Sequence, residues 1–253
     1  MKTKNLVFLT ALGPHRRIRY ARYSLLTWRW WCRRHGVRLH VMRRKPLDVE
    51  GMRPTWMRYA MFDVLDRAGI QWERAAMVDA DTMVRWDCPD FFHQVDTALA
   101  AVKDGCRPRW VKRSIRVYGC LFPDTELEAD AYFNAGFLVV NPGHRRLFEE
   151  MIRLYLENEA RMRTLIRRYR RGSDQTPLNF MVKRLGLPLD YLPETFNATH
   201  LLPFWRNQRL LIGRADPEAF VRRGHVWHFT GVHRDLVEGI MRRTWERIED
   251  HYA

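Results

Sequence analysis

An α/β fold, with a mixed but mainly parallel sheet flanked by helices, is what this sequence predicts, and three observations predict it. The N-terminal part reads strand, helix, strand, the order of a crossover unit joining parallel strands. Short apolar runs such as NLVFLT and RAAMVDA alternate with longer segments whose apolar residues recur every three or four positions. The 253 residues are 46% hydrophobic and 13% aromatic, which supports a substantial core and excludes a disordered chain.

Residues 5–10, NLVFLT, read as the first strand, ended by Gly13-Pro14. The lysines before it imitate a signal peptide, but charge resumes at once in HRRIRYAR, which favours a buried strand. A helix follows through RYARYSLLTWRWWCRRHG, where the aromatic run Trp28 to Trp31 is read as helix packing, and then a second strand, VRLHVM. PTWMRYAMFDVLDRAG is the next helix, with Pro54 in its first turn and Gly69 past its end. RAAMVDA is a buried strand, so Asp79 falls at a carboxyl end, where open α/β sheets bind ligands. FFHQVDTALAAVK reads as a short helix or turn and then a strand, and CRPRWVKRSIRVYGC as a basic loop. YFNAGFLVVN is a strand, and HRRLFEEMIRLYLENEARMRTLIRRYRR is one long helix stopped by Gly172 and Ser173. DQTPLNFMVKRLG starts another helix, short strands are expected around LLPFW and HVWHF, and DLVEGIMRRTWERIEDHY is a final amphipathic helix. With no repeat and no low-complexity linker, residues 1–253 are expected to form a single domain.

Charge narrows the partners. The chain carries 44 Lys+Arg against 29 Asp+Glu, a formal net charge of +15, which points to an anionic partner: nucleic acid, anionic lipid or phosphorylated glycan. Cys32, Cys88, Cys106 and Cys120 form no C-x-x-C pair and read as reduced thiols of a cytoplasmic protein in a bacterial or phage-infected cell. No run approaches the ~18 apolar residues of a membrane span, so contact with an anionic membrane would be peripheral.

Against that basic background stands MVDADTMV, residues 77–84. In an extended segment, side chains two apart share a face, so Asp79 and Asp81 can converge on one point. Two carboxylates held so close repel unless a cation or proton lies between them, and a divalent metal is the economical answer.

Four segments, DADTMV, YFNAGFLVVN, DQTPLN and HFTGVHR, taken in this order, resemble family 8 of the glycosyltransferases. These are the retaining enzymes that include glycogenin and bacterial lipopolysaccharide galactosyl- and glucosyltransferases. Arg58, on the helix before the Asp pair, also fits the pattern. The resemblance implies a Rossmann-like GT-A fold, with residues 1–100 as the nucleotide-sugar half and residues 101–253 as the acceptor-side half. It implies that Asp79, Asp81 and His228 hold Mn²⁺ or Mg²⁺ and, through it, the diphosphate of a nucleotide-sugar, expected to be a UDP-sugar. An oxygen-plus-imidazole set favours Mn²⁺. Thr10, Ala11, Arg58, Asn134, Gly136, Gly231 and Arg234 would contact the donor, Arg234 standing where the family has lysine. Asp174 and Gln175 would line the reacting face. Gln175 is neutral and a poor covalent nucleophile, which suits front-face transfer, while Asp174 keeps a covalent route open.

Other readings compete. Asn134-Ala135-Gly136 could be only a strand-entry turn, Asp174 a helix N-cap, and His228 a core histidine, as His225 and His233 are read to be. DADTMV also approaches the D-x-D motif of haloacid-dehalogenase-type phosphatases, although that motif belongs on a first strand. The arginine and aromatic residues of HRRIRYARYSLLTWRWWCRRHG and CRPRWVKRSIRVYG would suit a non-enzymatic nucleic-acid-binding protein. Combined with the donor motifs, they suggest a transferase whose acceptor is polyanionic: a modified DNA base or a phosphorylated glycan such as lipopolysaccharide.

Overall fold

The computed structural model describes residues 5–13, 18–96, 98–105, 108–169, 173–199, 219–232 and 234–253. The chain builds β1 (Asn5–Thr10), α1 (Ala21–Arg34), β2 (Arg38–Met42), α2 (Pro54–Met57), a 3-10 turn (Arg58–Ala60), α3 (Met61–Arg67), β3 (Arg74–Asp79) and β4 (Thr82–Val84). Next come β5 (Leu99–Lys103), α4 (Pro108–Tyr118), β6 (Phe133–Val140), α5 (Arg145–Glu157), α6 (Glu159–Tyr169), α7 (Gln175–Arg184) and β7 (Leu189–Leu192). After these, α8 (Ala219–Arg223), β8 (Val226–His228) and α9 (Arg234–Ile248) complete the helices and strands.

Six strands form one sheet in the order β2-β1-β3-β6-β5-β7. Only β6 runs against its neighbours; the other pairings are parallel. Because β2 and β3 lie on opposite sides of β1, the crossovers diverge there and leave a crevice beyond the carboxyl ends of the strands. Thr10 and Asp79 stand side by side in register at that edge. The reversed direction of β6 brings its first residues, Phe133 to Gly136, to the same edge. There the β5–β6 register shifts, from Ala101 opposite Leu138 to Val102 opposite Asn134, an irregularity that bends the strand beside the crevice.

The sheet is covered on both faces, as the strand periodicity requires. Leu6 and Phe8 pack with Trp56, Met61 and Phe148 on one face, while Val7 and Leu9 pack with Trp28 and Trp31 on the other. Both tryptophans are fully buried, and their indole N–H groups donate to Thr82 Oγ1 and to the Cys88 carbonyl, each at 3.0 Å. A two-stranded ribbon, β4 with β8, sits apart from the main sheet and pairs Thr82 with His228. The ribbon therefore joins β4, from the N-terminal part of the chain, to a strand far along the sequence.

Three expectations change. The basic segment 106–120 is not a loop: α4 occupies most of it, because Val111, Ser114 and Tyr118 recur at helical spacing and bury one side. The long helix over 144–171 is two helices, broken at Asn158, whose φ of −119° and ψ of 26° leave the α region. The helix expected over 54–69 tightens into a 3-10 turn at Arg58. Strands β4 and β7 carry no clear sequence signal. LLPFW, Gly172, Cys106 and His233 lie outside the described residues. Cys32, Cys88 and Cys120 are free thiols, the first two buried. No helix among the described residues is long and apolar enough to cross a membrane.

Candidate functional site

The two carboxylates of MVDADTMV lie at the tight turn from β3 into β4. Thr82 holds this turn: its hydroxyl donates to the Asp79 carbonyl at 2.7 Å and accepts from the Trp28 indole. Phe229 N–H donates to the Asp81 carbonyl at 2.9 Å, which ties the end of β8 to the same turn. Asp79 and Asp81 side chains are 25% and 26% exposed, open to the crevice but not free in solvent.

Arg58 lies beneath them, fully buried. Its Nη1 donates to Asp79 Oδ1 at 2.6 Å and to the Ala135 carbonyl at 2.9 Å. Its other edge clasps Asp174 Oδ2 through Nη2 and, at 3.1 Å, Nε. The Tyr59 hydroxyl adds a third donor to that oxygen at 3.2 Å. Burial works against the charge on Arg58, yet Asp174 and Asp79 outweigh it and hold its pKa well above the ordinary value. Asp174 occupies the N-cap position of α7 but gives the helix no side-chain cap, because its carboxylate, in a residue 4% exposed, is turned into this cluster.

His228 enters from the ribbon. Its Nε2 lies 3.3 Å from Asp81 Oδ1 and 3.8 Å from Asp79 Oδ2, is buried, and has no other partner among the described residues. On its other side, Nδ1 lies 3.0 Å from Asn197 Oδ1. The ring rests against Gly136, where a Cβ would come within 2.8 Å of Nδ1 and 2.9 Å of Nε2. Glycine is needed at this point by close approach.

Gln175 begins α7 and spans the next part of the edge. Its Nε2 donates to Asp104 Oδ2 at 2.5 Å, and its Oε1 accepts from Ala135 N–H at 3.3 Å. Asn134 is buried; its Oδ1 accepts from Gly136 N–H at 2.8 Å and from Asn197 Nδ2 at 3.0 Å, and its Nδ2 lies 3.5 Å from Asp104 Oδ2. Thr10 Oγ1 is buried beside Asp79 without a partner among the described residues, and Ala11 N–H donates to the Met42 carbonyl. Gly231 takes a φ of 72° in the turn after β8, a conformation suited to glycine. The Arg234 side chain lies outside the described residues.

The structure thus brings Asp79, Asp81, His228, Arg58, Asp174, Asn134, Gly136, Gln175, Thr10 and Ala11 to one edge. It adds Tyr59, Asp104 and Asn197, which sequence reasoning missed. Asp104 repeats the signal that marked Asp79, an acid just past a buried strand, whereas Asn197 in TFNATH gives no sign of its place.

Among the described residues, Arg58 pairs with Asp79 and Asp174 while Asp81 faces His228, so these groups are net negative when the imidazole is neutral. Burial pushes the Asp79 pKa up, against the pull of Arg58. At Asp81 the burial effect is overcome by His228, and its pKa falls; burial likewise opposes charge on His228, but Asp81 and Asp79 raise its pKa. The residues fit a divalent cation on independent grounds. One atom each from Asp79, Asp81 and His228 lies within 4.8 Å of the others, and the buried Nε2 has no other partner among the described residues. Ligands about 2.1 Å from an octahedral ion stand about 3.0 Å apart when adjacent and about 4.2 Å when opposite. The 3.3 and 3.8 Å separations fall inside that window.

No family model and no curated protein matches the chain. Among solved structures, it resembles a glycosyltransferase involved in glycosylation of the major capsid of PBCV-1, with a TM-score of 0.59, 12% identity, and coverage of 95% of this chain and 99% of that one. The galactosyltransferase LgtC, solved with donor and acceptor sugar analogs, matches with a TM-score of 0.50 at 18% identity over 98% of this chain and 95% of that one. The bifunctional glycosyltransferase WbbM matches over 99% of this chain and 52% of its own, with a TM-score of 0.55 and 15% identity. The fold is therefore the GT-A fold of glycosyltransferases.

Proposed function

We propose that the protein is a metal-dependent, retaining glycosyltransferase that moves a hexosyl or pentosyl group from a nucleotide-sugar, a UDP-sugar by resemblance, to an anionic acceptor. The observation that carries this reading is the convergence of Asp79, Asp81 and the buried Nε2 of His228, which has no other partner among the described residues, at the carboxyl edge of a GT-A sheet. These three residues would hold Mn²⁺ in preference to Mg²⁺, since imidazole joins the carboxylates. When bound, the ion neutralises charge that builds on the departing diphosphate.

Each residue of the chain then has a task. Arg58 holds Asp79 from below and keeps one of its oxygens turned away from the opening. We read Asp174 as a positioning residue rather than the covalent nucleophile, a reading supported by its Oδ2 accepting from Arg58 and Tyr59 while Oδ1 lies 3.4 Å from Ser173 Oγ. Gln175, held at both ends of its amide, presents a neutral polar group to the reacting carbon, which suits front-face transfer. By the resemblance, Thr10 and Ala11 would border the donor, and Gly231 and Arg234 would contact its diphosphate.

The anionic acceptor is supported by α4. Arg109, Lys112, Arg113 and Arg116 are exposed at helical spacing on one face, with no carboxylate partner among the described residues. The helix follows Asp104 and β5, whose carboxyl end lies at the same sheet edge as Asp79. A modified DNA base and a phosphorylated glycan both suit this charge. A salt titration of duplex DNA binding separates them, because phosphate contacts make affinity fall steeply with salt; no binding at low salt excludes DNA.

For the activity, nucleoside diphosphate release is measured over a panel of nucleotide-sugars with Mn²⁺ or with chelator. Release with one donor, lost on chelation and in Asp79→Asn, is expected. No binding or hydrolysis of any donor with metal present would refute the transferase.

A further inference from the structure

We propose that Asn197 is a positioning residue that sets the tautomer and orientation of His228, so that Nε2 faces Asp79 and Asp81 as a lone pair. The inference rests on the metal reading given above. It follows from one donor whose identity is beyond doubt, the Gly136 backbone N–H. That N–H lies 2.8 Å from a terminal atom of the Asn134 amide, which must therefore be the oxygen. The same oxygen lies 3.0 Å from a terminal atom of Asn197, which must then be the nitrogen, since two oxygens would repel. The remaining Asn197 atom is its oxygen, and it stands 3.0 Å from His228 Nδ1. An oxygen accepts, so Nδ1 carries the hydrogen, and in the neutral ring Nε2 carries the lone pair.

Asn197, Asn134 and His228 are all buried, so no water competes for these bonds and each assignment forces the next. Gly136 serves twice: its N–H starts the relay and its missing side chain makes room for the imidazole that ends it. The backbone around Asn197 is anchored to the same ribbon, as His228 N–H donates to the Ala198 carbonyl at 3.0 Å. A carbonyl oxygen behind a ligating imidazole fixes the ring and raises its basicity, and loss of such a partner weakens metal binding about 10–100-fold.

The test has two readouts. In metal-free protein, at a pH high enough to keep the imidazole neutral, ¹⁵N NMR of the His228 ring reports its tautomer. Independently, Mn²⁺ titration followed by electron paramagnetic resonance reports affinity. The wild type is expected to carry hydrogen on Nδ1. Asn197→Ala is expected to lose that preference and to bind Mn²⁺ about 10–100-fold more weakly, whereas Asn197→Asp, which keeps an acceptor for Nδ1 but sets an oxygen against Asn134 Oδ1, retains the tautomer and recovers only part of the affinity. A purely structural asparagine would lower the melting temperature and move neither readout. Hydrogen on Nε2 in the wild type, which needs no variant to fold, would overturn the proposal. So would wild-type Mn²⁺ affinity in folded Asn197→Ala. A wild type that keeps Nδ1–H but binds no Mn²⁺ would refute the metal reading while upholding the relay.

Discussion

Replacing Gly136 by alanine puts a single methyl against the imidazole that completes the site. The added Cβ would stand 2.8 Å from Nδ1 and 2.9 Å from Nε2 of His228. Ordinary contact is about 3.5 Å, and the ring carbon Cε1 between these nitrogens would stand closer still, so the imidazole must retreat by more than about 1 Å. Metal–ligand distances tolerate about 0.2 Å, so this displacement takes Nε2 out of bonding range unless the turn bearing the aspartates follows it. Gly136 does not sit at positive φ, so the alanine adds no backbone strain and the effect is steric. Overpacking of this kind costs about 1–3 kcal/mol. For a chain of this length that corresponds to a fall of about 2–12 °C in melting temperature, at roughly 2–4 °C per kcal/mol. Calorimetric Mn²⁺ titration of Gly136→Ala is expected to show affinity at least about tenfold weaker than wild type. Unchanged Mn²⁺ affinity together with an unchanged melting temperature would mean that His228 can leave Gly136 freely, and the close-approach reasoning would fail.

Arg58→Met leaves Asp174 buried without its ion-pair partner and should cost about 3–5 kcal/mol in urea unfolding. Arg58→Lys should recover only part, since an ammonium cannot bridge two carboxylates with one planar fork. His144 is pushed below the usual histidine pKa by burial, and its Nδ1 accepts the Asn141 N–H at the start of α5. The folded state therefore holds fewer protons than the unfolded chain, and stability should fall as pH drops below about 6.5 until the depressed pKa is passed. Comparing urea midpoints across that range, His144→Gln, which can still accept the N–H, should flatten this component; an identical slope would assign it elsewhere, for example to His40 or His225. If α4 grips acceptor phosphates, replacing Arg113 and Arg116 by alanine should lower the slope of log affinity against log salt by about one for each phosphate released. An unchanged slope would place the acceptor elsewhere.

The strand edge and its acids were legible in the sequence because they depend on local pattern. RAAMVDA has the apolar continuity of a doubly covered strand, and an acid at its end is conspicuous. The helix of α4 was missed because its many cations mask a buried stripe of only Val111, Ser114 and Tyr118. The break at Asn158 was missed because Asn is a mild helix breaker whose effect depends on where α5 and α6 must turn to cover the sheet.

By itself, then, the sequence determined the α/β order, the strand end that carries Asp79 and Asp81, and the segments that could meet there. Only the tertiary structure decided what each group faces. Asp174 reads as a reactive carboxylate in DQTPLN, yet the fold turns it into Arg58. His228 in HVWHFTG could by sequence be a metal ligand or a core histidine, and the ribbon with β4 and the amide of Asn197 aim one ring nitrogen at the carboxylates. The reason is physical: backbone pattern is set by neighbours a few residues away, whereas the partner of a buried polar atom is set by segments that meet only after the sheet has closed.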